Sequence, residues 1–368
     1  MKRIAFAGIR GIPASYSGFE TFVEEISIRL VNHNFDVYVY NRTAHYKNRL
    51  LTYKGIKLIN LPTIPTKHLD TIVHTFISLL HATLQKYDLI FICGVGNSLL
   101  CIFPRLYRSK VFINVDGKDW ERKKWSPIAK KYLKFAEKIA VKFANVVITD
   151  SFAMQKYYKS NYNAETICIP YGGDITPDYD IDFLKQFNLT SKNYILFVGR
   201  LEPENNAHIL INAFKNLNNK DKLKLVIVGD APYASSYKNY LYDLSKDDES
   251  IIFTGFLFDK AYRQLSTHAL LFILPSEVGG THPVLTQQMY IGNCIVAANT
   301  DSNQEVLDEC GFFFNLNEPI SSLQKIIEYL LANPNLIPEY GFKAKNKALK
   351  IYSWDQITKQ YIDLFLKY

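Results

Sequence analysis

The sequence predicts an α/β protein built from two doubly wound domains, each a parallel sheet covered by helices on both faces. Three observations carry this. Short, continuous, β-rich apolar runs alternate with amphipathic helical stretches through the first half. A polar, acidic, proline-bearing stretch, GGDITPDYDID (172–182), interrupts the alternation, and the pattern then restarts. Finally, 368 residues are too many for one ordinary core, and 48% hydrophobic against 21% charged residues is a globular composition.

In the first half the strand runs are IAFAG (4–8), DVYVYN (36–41), IKLINL (56–61), DLIFIC (88–93), KVFINV (110–115), NVVITD (145–150) and TICIPY (166–171). Helical patterns separate several of them, notably Gly18 to Val31, Leu69 to Gln85 and Pro127 to Phe143. In the second half the strands are YILFV (194–198), KLVIV (224–228), IIFTG (251–255), LLFIL (270–274) and CIVAA (294–298). The terminal stretch is an amphipathic helix carrying Trp354, Tyr361, Leu364 and Phe365. The expected organisation is a first domain at 1–172, a linker at 173–192, a second domain at 193–351, and a helix at 352–368 that returns to the first.

Composition narrows the function classes. Five scattered cysteines, with no metal-ligand spacing, read as small core residues of a reducing compartment. The apolar start is broken by Gly8, Arg10 and Gly11, which makes it a first strand and not a signal peptide. No window of 18 uncharged apolar residues occurs, so nothing is expected to span a membrane. Charge is local: residues 102–145 hold twelve Lys or Arg against four Asp or Glu, the whole +8 excess of the chain. Within it Trp120 and Trp125 stand among Arg122, Lys123 and Lys124, and the next helix gathers Lys130, Lys131, Lys134, Lys138 and Lys142 within about 120°. A solvated lysine face on a core-packed helix is the plain reading. The sharper one is attraction to anionic lipid headgroups, with tryptophans at the interface. Nucleic acid is not expected as a partner, since no reading motif accompanies the charge.

Ligands of open α/β sheets bind beyond the carboxyl ends of the strands, so two such domains in tandem imply a cleft lined by those loops. Four loops carry polar groups there. GIRGIPASYSGFET (8–21) frees the backbone with Gly8 and Gly11 and enters a helix at Ser17 and Gly18. NVDGKDWERKKW (114–125) presents Asp116 at a strand end. FVGRLEPENN (197–206) sets Arg200 beside a helix start, where an arginine can grip phosphate oxygens; a solvated arginine in an ordinary βα turn is the alternative. LPSEVGGTHPVLTQQMYIGN (274–293) has Gly279 and Gly280 in a tight loop before a helix starting near His282 or Pro283, with Glu277, Thr281, His282 and Gln287 in reach. A full G-x-G-x-x-G is missing, which disfavours a nicotinamide oxidoreductase.

Together FVGRLEPENN, TGF (254–256), PSEVGGTHPVLTQQMYIGN (275–293) and YSWDQITKQY (352–361) resemble retaining glycosyltransferases of family 4, whose GT-B fold sets two Rossmann-like domains facing a central cleft. The opening loop and DGKDWERKKW resemble a narrower bacterial branch that includes rhamnosyltransferases of cell-surface polysaccharides. The resemblance implies Arg200 on the donor diphosphate, Gly255 in the loop that contacts the base, and Ser17 and Gly18 in a turn lining the donor or acceptor side. It implies Asp116 near the acceptor hydroxyl and Glu305 as a recurrent glutamate of the second domain.

Three positions depart from the family. A lysine five residues after the arginine is here Asn205, and a Glu-x7-Glu pair falls on Gly279 and Gln287. Gln287 can still hydrogen-bond a ribose hydroxyl, and Glu277 can replace the missing sugar contact. The expectation is transfer from a nucleotide-diphosphate sugar, dTDP-rhamnose or a UDP-sugar, to a glycan or polyprenyl-diphosphate-linked acceptor. Retention, no metal and no cofactor are expected, in the cytoplasm or on the inner membrane face. The PDYD stretch (177–180) lies in the linker and is not taken as a metal site. The competing reading is a catalytically impaired GT-B subunit that binds nucleotide sugar or a partner.

Overall fold

The computed structural model describes residues 1–66, 69–106, 109–123, 125–218, 223–231 and 235–368. Lys124 lies outside them. The chain divides into two compact units, one formed by Met1–Glu121, Trp125–Tyr171 and Trp354–Tyr368, the other by Arg122–Lys124 and Gly172–Ser353.

The first unit holds eight strands: β1 (Arg3–Ala7), β2 (Asp36–Arg42), β3 (Thr52–Tyr53), β4 (Ile56–Leu61), β5 (Leu89–Cys93), β6 (Lys110–Asn114), β7 (Val146–Thr149) and β8 (Ile167–Cys168). They form one sheet in the order β3-β4-β2-β1-β5-β6-β7-β8, parallel except for β3 against β4. The unpredicted β3 is two residues long and closes a hairpin through Lys54 (φ 47°) and Gly55 (φ 81°), the left-handed pair such a turn requires. Strand alternation sends Ile4 and Phe6 to one face and Ala5 and Ala7 to the other. Over the first face lie the helices Gly18–Asn32 and Trp354–Lys367, where Trp354, Tyr361 and Phe365 pack with Phe22, Phe91 and Phe112. The C-terminal helix is also pinned by Lys2 Nζ donating to the Phe365 carbonyl at 2.8 Å and by Arg29 to Asp355 at 2.7 Å. Over the second face lie the helices Leu69–Gln85, Pro127–Phe143 and Phe152–Tyr162.

The second unit holds β9 (Tyr194–Val198), β10 (Lys224–Val228), β11 (Ile251–Gly255), β12 (Leu271–Leu274), β13 (Cys294–Ala298) and β14 (Phe312–Phe314). All pair in parallel, in the order β11-β10-β9-β12-β13-β14. The sequence reading lacked β14, whose three phenylalanines are too short a run to declare a strand. Residues 173–192, expected as a linker, instead belong to this unit. Leu184, on the short helix Asp182–Lys185, is buried in its core, and Asp178 and Phe183 donate backbone N–H groups to Thr267 Oγ1 (3.0 Å) and Gln264 Oε1 (2.9 Å). The acidic composition that suggested a linker is used on the helix Asp259–His268, where Asp178 meets Arg263 at 3.8 Å and Asp180 meets Lys260 at 2.7 Å.

Candidate functional site

In the second unit the chain leaves β9 toward β10 on one side and reaches β12 on the other, so the adjacent β9 and β12 mark the topological switch point. The loops beyond them are stitched together. Ser276 Oγ donates to Asn205 Oδ1 at 3.1 Å, Asn206 Nδ2 donates to the Pro275 carbonyl at 3.1 Å, and the Glu277 N–H donates to the Glu204 carbonyl at 3.1 Å. Asn205 also donates to the Arg200 carbonyl at 2.8 Å. The amide standing at the family's lysine position is therefore a strut that holds the arginine's loop, with oxygen and nitrogen both engaged inside the protein. The anticipated helix start is a single turn, Pro203–Asn205, followed by left-handed Asn206 (φ 53°) and the helix Ala207–Lys215.

Arg200 is half-buried at this point. Arg122 joins it, because residues 122–124 cluster with the second unit. The buried Arg122 reaches Glu204 at 3.6 Å, and Lys123 reaches Glu277 at 2.5 Å. Glu204 is fully buried and neither of its carboxylate oxygens accepts a hydrogen bond. Periodicity gives no sign of Glu204: it sits in a three-residue turn that shows no pattern. Burial, then Arg122 and Arg200, push the His282 imidazole down to about 4, so it is neutral at ordinary pH.

His282 precedes the nine-residue helix Pro283–Ile291, whose free N–H groups begin at the switch point. Gly279 (φ 148°) is required by this ring: a Cβ there would stand 2.6 Å from His282 Cε1. The family's glutamate therefore has no room at 279. Gly279→Glu is expected to cost roughly 1–3 kcal/mol from backbone strain alone and to displace the imidazole. Thermal melting and donor titration check this; improved donor binding would show that the loop accepts the longer side chain.

The remaining residues expected on the donor side are spread around the sheet edge. Gly280 and Thr281 are buried in the loop before the helix. Gln287 Oε1 accepts from Tyr262 Oη at 2.8 Å, so its orientation is set by a neighbouring helix. Gly255 ends β11 at φ 74° with nothing within 4 Å of its Cβ direction, an open approach to the backbone. Glu305 lies half-buried on the helix Asp301–Leu307 after β13, which is fixed to the Gly279 carbonyl through Ser302 Oγ at 3.2 Å.

In the first unit the corresponding switch point lies between β1 and β5. Gly8 (φ 95°) leaves β1 where a Cβ would meet the Cys93 carbonyl oxygen at 2.4 Å. The loop it begins is clasped by acceptors the sequence reading passed over. Asn41 exchanges hydrogen bonds with the Ile12 backbone (3.1 and 2.8 Å), and buried Glu20 accepts from the Ser15 and Tyr16 N–H groups (3.0 and 2.8 Å). Ser17 is the residue before the helix Gly18–Asn32, and its hydroxyl does not cap it. Asp116, after β6, is held at φ 56° with its N–H on Asn114 Oδ1 at 2.9 Å. Outside glycine that left-handed conformation is uncommon, and asparagine and aspartate are the residues that adopt it most readily.

The basic tryptophan surface does not form as one patch. Trp120 and Trp125 pack against the first unit's core, and Lys134 Nζ lies 3.8 Å above the Trp120 ring. Arg122 is buried with Glu204, and Lys123 is paired with Glu277. Lys138 is exposed, as is Lys134, and Lys130 is half-buried on their helix. The physical reason is desolvation: large indoles gain more by covering the core than by facing water.

Residues 180–347 match the family model described as glycosyl transferases group 1, and residues 1–174 match a domain of unknown function, DUF1972. An uncharacterized glycosyltransferase of Methanocaldococcus jannaschii is 28% identical, with 95% of this chain and 94% of the relative aligned. A lipopolysaccharide 1,2-N-acetylglucosaminetransferase of Salmonella typhimurium is 25% identical over 59% of this chain and 61% of its own. Among solved structures, HepE of Anabaena in complex with UDP-glucose superposes with a TM-score of 0.81 at 20% identity, covering 100% of both chains.

Proposed function

We propose that the chain, whose residues 180–347 match the group 1 glycosyl transferases and which has the GT-B fold, is a retaining family 4 enzyme of the rhamnosyltransferase-like branch. It moves a sugar from dTDP-rhamnose or a UDP-sugar to a glycan or polyprenyl-diphosphate-linked acceptor, in cell-surface polysaccharide synthesis on the cytoplasmic side of the membrane. The observation that carries the reading is the β9/β12 switch point, where Arg200 and Arg122 meet the N-terminus of the helix Pro283–Ile291.

Breaking the anomeric C–O bond leaves negative charge on the departing diphosphate. Two guanidiniums and the positive end of the helix Pro283–Ile291 are placed before the reaction starts, so meeting that charge costs no rearrangement. Arg122 takes the part of the family's lysine, whose position Asn205 uses as a strut. Neutral His282 donates or accepts without adding charge. Gly255 leaves its backbone open to a base, and Gln287, held by Tyr262, serves a ribose hydroxyl. Asp116 orients the acceptor hydroxyl, and attack on the donor's front face retains configuration. With the leaving charge met by arginines, the step takes no divalent ion.

A panel of UDP-, dTDP- and GDP-sugars in thermal melting, followed by radiolabelled transfer to a polyprenyl-diphosphate glycan, tests the proposal. The matching nucleotide at about 100 Kd should stabilise by ~2.7 kcal/mol, and transfer should persist in EDTA. A nucleotide-dependent shift with no transfer to any acceptor would favour the binding-subunit reading, which Asn205, Gly279 and Gln287 support.

A further inference from the structure

The helix Leu69–Gln85 of the first unit is built inside out. Its buried face carries Asp70, His74, Thr75, Ser78 and Thr83 beside Leu79 and Ala82. Its outward face carries Leu69 (46% exposed), Ile72 (44%), Phe76 (41%), Leu80 (48%) and Leu84 (68%). These positions, three or four apart, fall within about 120° of one another. No exposed residue of this helix is charged. A helix that faces water shows the opposite arrangement. Its rotation is fixed: Asp70 accepts from buried Arg42 at 2.7 Å, pairs with His45 at 2.9 Å, and accepts from Thr63 Oγ1 at 3.0 Å.

The apolar stripe continues onto neighbours that carry the basic charge. The Phe76 ring meets Phe103 at 5.6 Å on the short helix Ile102–Leu106, whose Leu106 is exposed. Arg105 of that helix donates to the Phe143 carbonyl at 2.7 Å, at the end of the helix Pro127–Phe143. There the buried side is Leu133, Ala136 and Ala140, so Ile128 and Phe135 lie outward beside Lys131, Lys134 and Lys138. The lysine-bearing helix thus adds apolar side chains to its outer face as well as cations.

We propose that this layer docks on an anionic phospholipid bilayer, with the helix Leu69–Gln85 lying in the interface and the lysines of Pro127–Phe143 on the headgroups. An uncharged apolar face flanked by lysines is the chemistry of interfacial helices. A second copy is the poorer occupant, because a twofold contact would bring the same lysines together. No helix among the described residues is long and apolar enough to cross a membrane. The proposal rests on the transferase reading only for the reason to visit a membrane, where a lipid-linked acceptor would be met.

The test is co-sedimentation of the full chain with phosphatidylcholine vesicles, with and without phosphatidylglycerol, at low and high salt. Wild type should prefer the phosphatidylglycerol vesicles. The pair Phe76→Gln and Leu80→Gln, and separately Ile72→Gln and Leu84→Gln, should bind at least about tenfold more weakly at either salt. The pair Lys131→Glu and Lys138→Glu should bind about tenfold more weakly at low salt and match wild type at high salt. Near-wild-type binding by both glutamine pairs, confirmed folded by circular dichroism, overturns the proposal. So does a wild type that is dimeric in solution while the glutamine pairs are monomeric, which gives the face to a second copy. Nucleotide binding is read separately by calorimetry with UDP and dTDP: binding of neither by the wild type would sink the transferase reading and leave vesicle binding standing.

Discussion

Arg200→Ala is expected to lower kcat for sugar transfer by ~10²–10³-fold, as removing one pre-placed donor to a developing anion does elsewhere. Arg200 is half-buried, and no ion pair of its guanidinium is found among the described residues. Its charge is therefore not consumed in holding the fold, and the variant's melting temperature should stay close to wild type. Its loop keeps its shape through the Arg200 backbone, since Asn205 grips the carbonyl and not the side chain. Arg200→Lys should recover only part of the rate, because an ammonium cannot make the paired contacts of a guanidinium fork with phosphate. Initial rates with a matched nucleotide sugar decide the matter. Near-wild-type kcat in the alanine variant would remove Arg200 from the reaction.

The second large effect lies at Arg122 and separates stability from binding. Glu204 is fully buried and has no hydrogen-bond donor on its oxygens, so Arg122 at 3.6 Å is what compensates its charge. Removing one member of a buried pair typically costs about 3–5 kcal/mol, so Arg122→Ala should melt well below wild type. For a unit of this size that corresponds to roughly 6–20 °C. The double variant Arg122→Met, Glu204→Gln removes both charges and should recover most of that loss. It should not recover donor affinity, because the second guanidinium near His282 is still missing. Melting curves and nucleotide-sugar titrations of the three proteins form the test. Full recovery of affinity in the double variant would confine Arg122 to a structural role.

Much of the fold is legible before any coordinates. The run YILFV is β9 residue for residue, and KLVIV, IIFTG and CIVAA become β10, β11 and β13 with the bounds their composition suggests. These strands are continuous apolar runs because both faces of the sheet are covered, which is what makes them easy to read. The short edge pieces β3 and β14 carry no such signal. Residues 173–192 misled for a related reason: acidic side chains look the same whether they face water or pair with Arg263 and Lys260.

The candidate site was half visible. Glycines, an arginine after a strand and a proline opening a helix point to loops that the fold sets at its switch points, since backbone freedom and helix polarity are local properties. Partners are not local. Nothing in WERKKW (120–125) says that Arg122 turns toward Glu204 while Trp120 turns inward, and the two residues of that ion pair stand 82 positions apart. Nor could the helix Leu69–Gln85 be oriented from its sequence. It has an apolar stripe and a polar one, patterning alone would turn the apolar stripe inward, and only the Arg42–Asp70 pair settles that the polar side faces the core.

By itself, then, the sequence determined the two parallel sheets, their order of elements, and the loops that leave them at the switch points. Those follow from periodicity, chain stiffness and turn chemistry over ten or twenty residues. Tertiary structure alone decided that Asn205 is a strut, that Gly279 makes room for His282, that Arg122 reaches Glu204, and that an apolar helix face looks outward. Each of these depends on which distant groups burial brings within a few ångströms, and burial is a property of the whole packed chain.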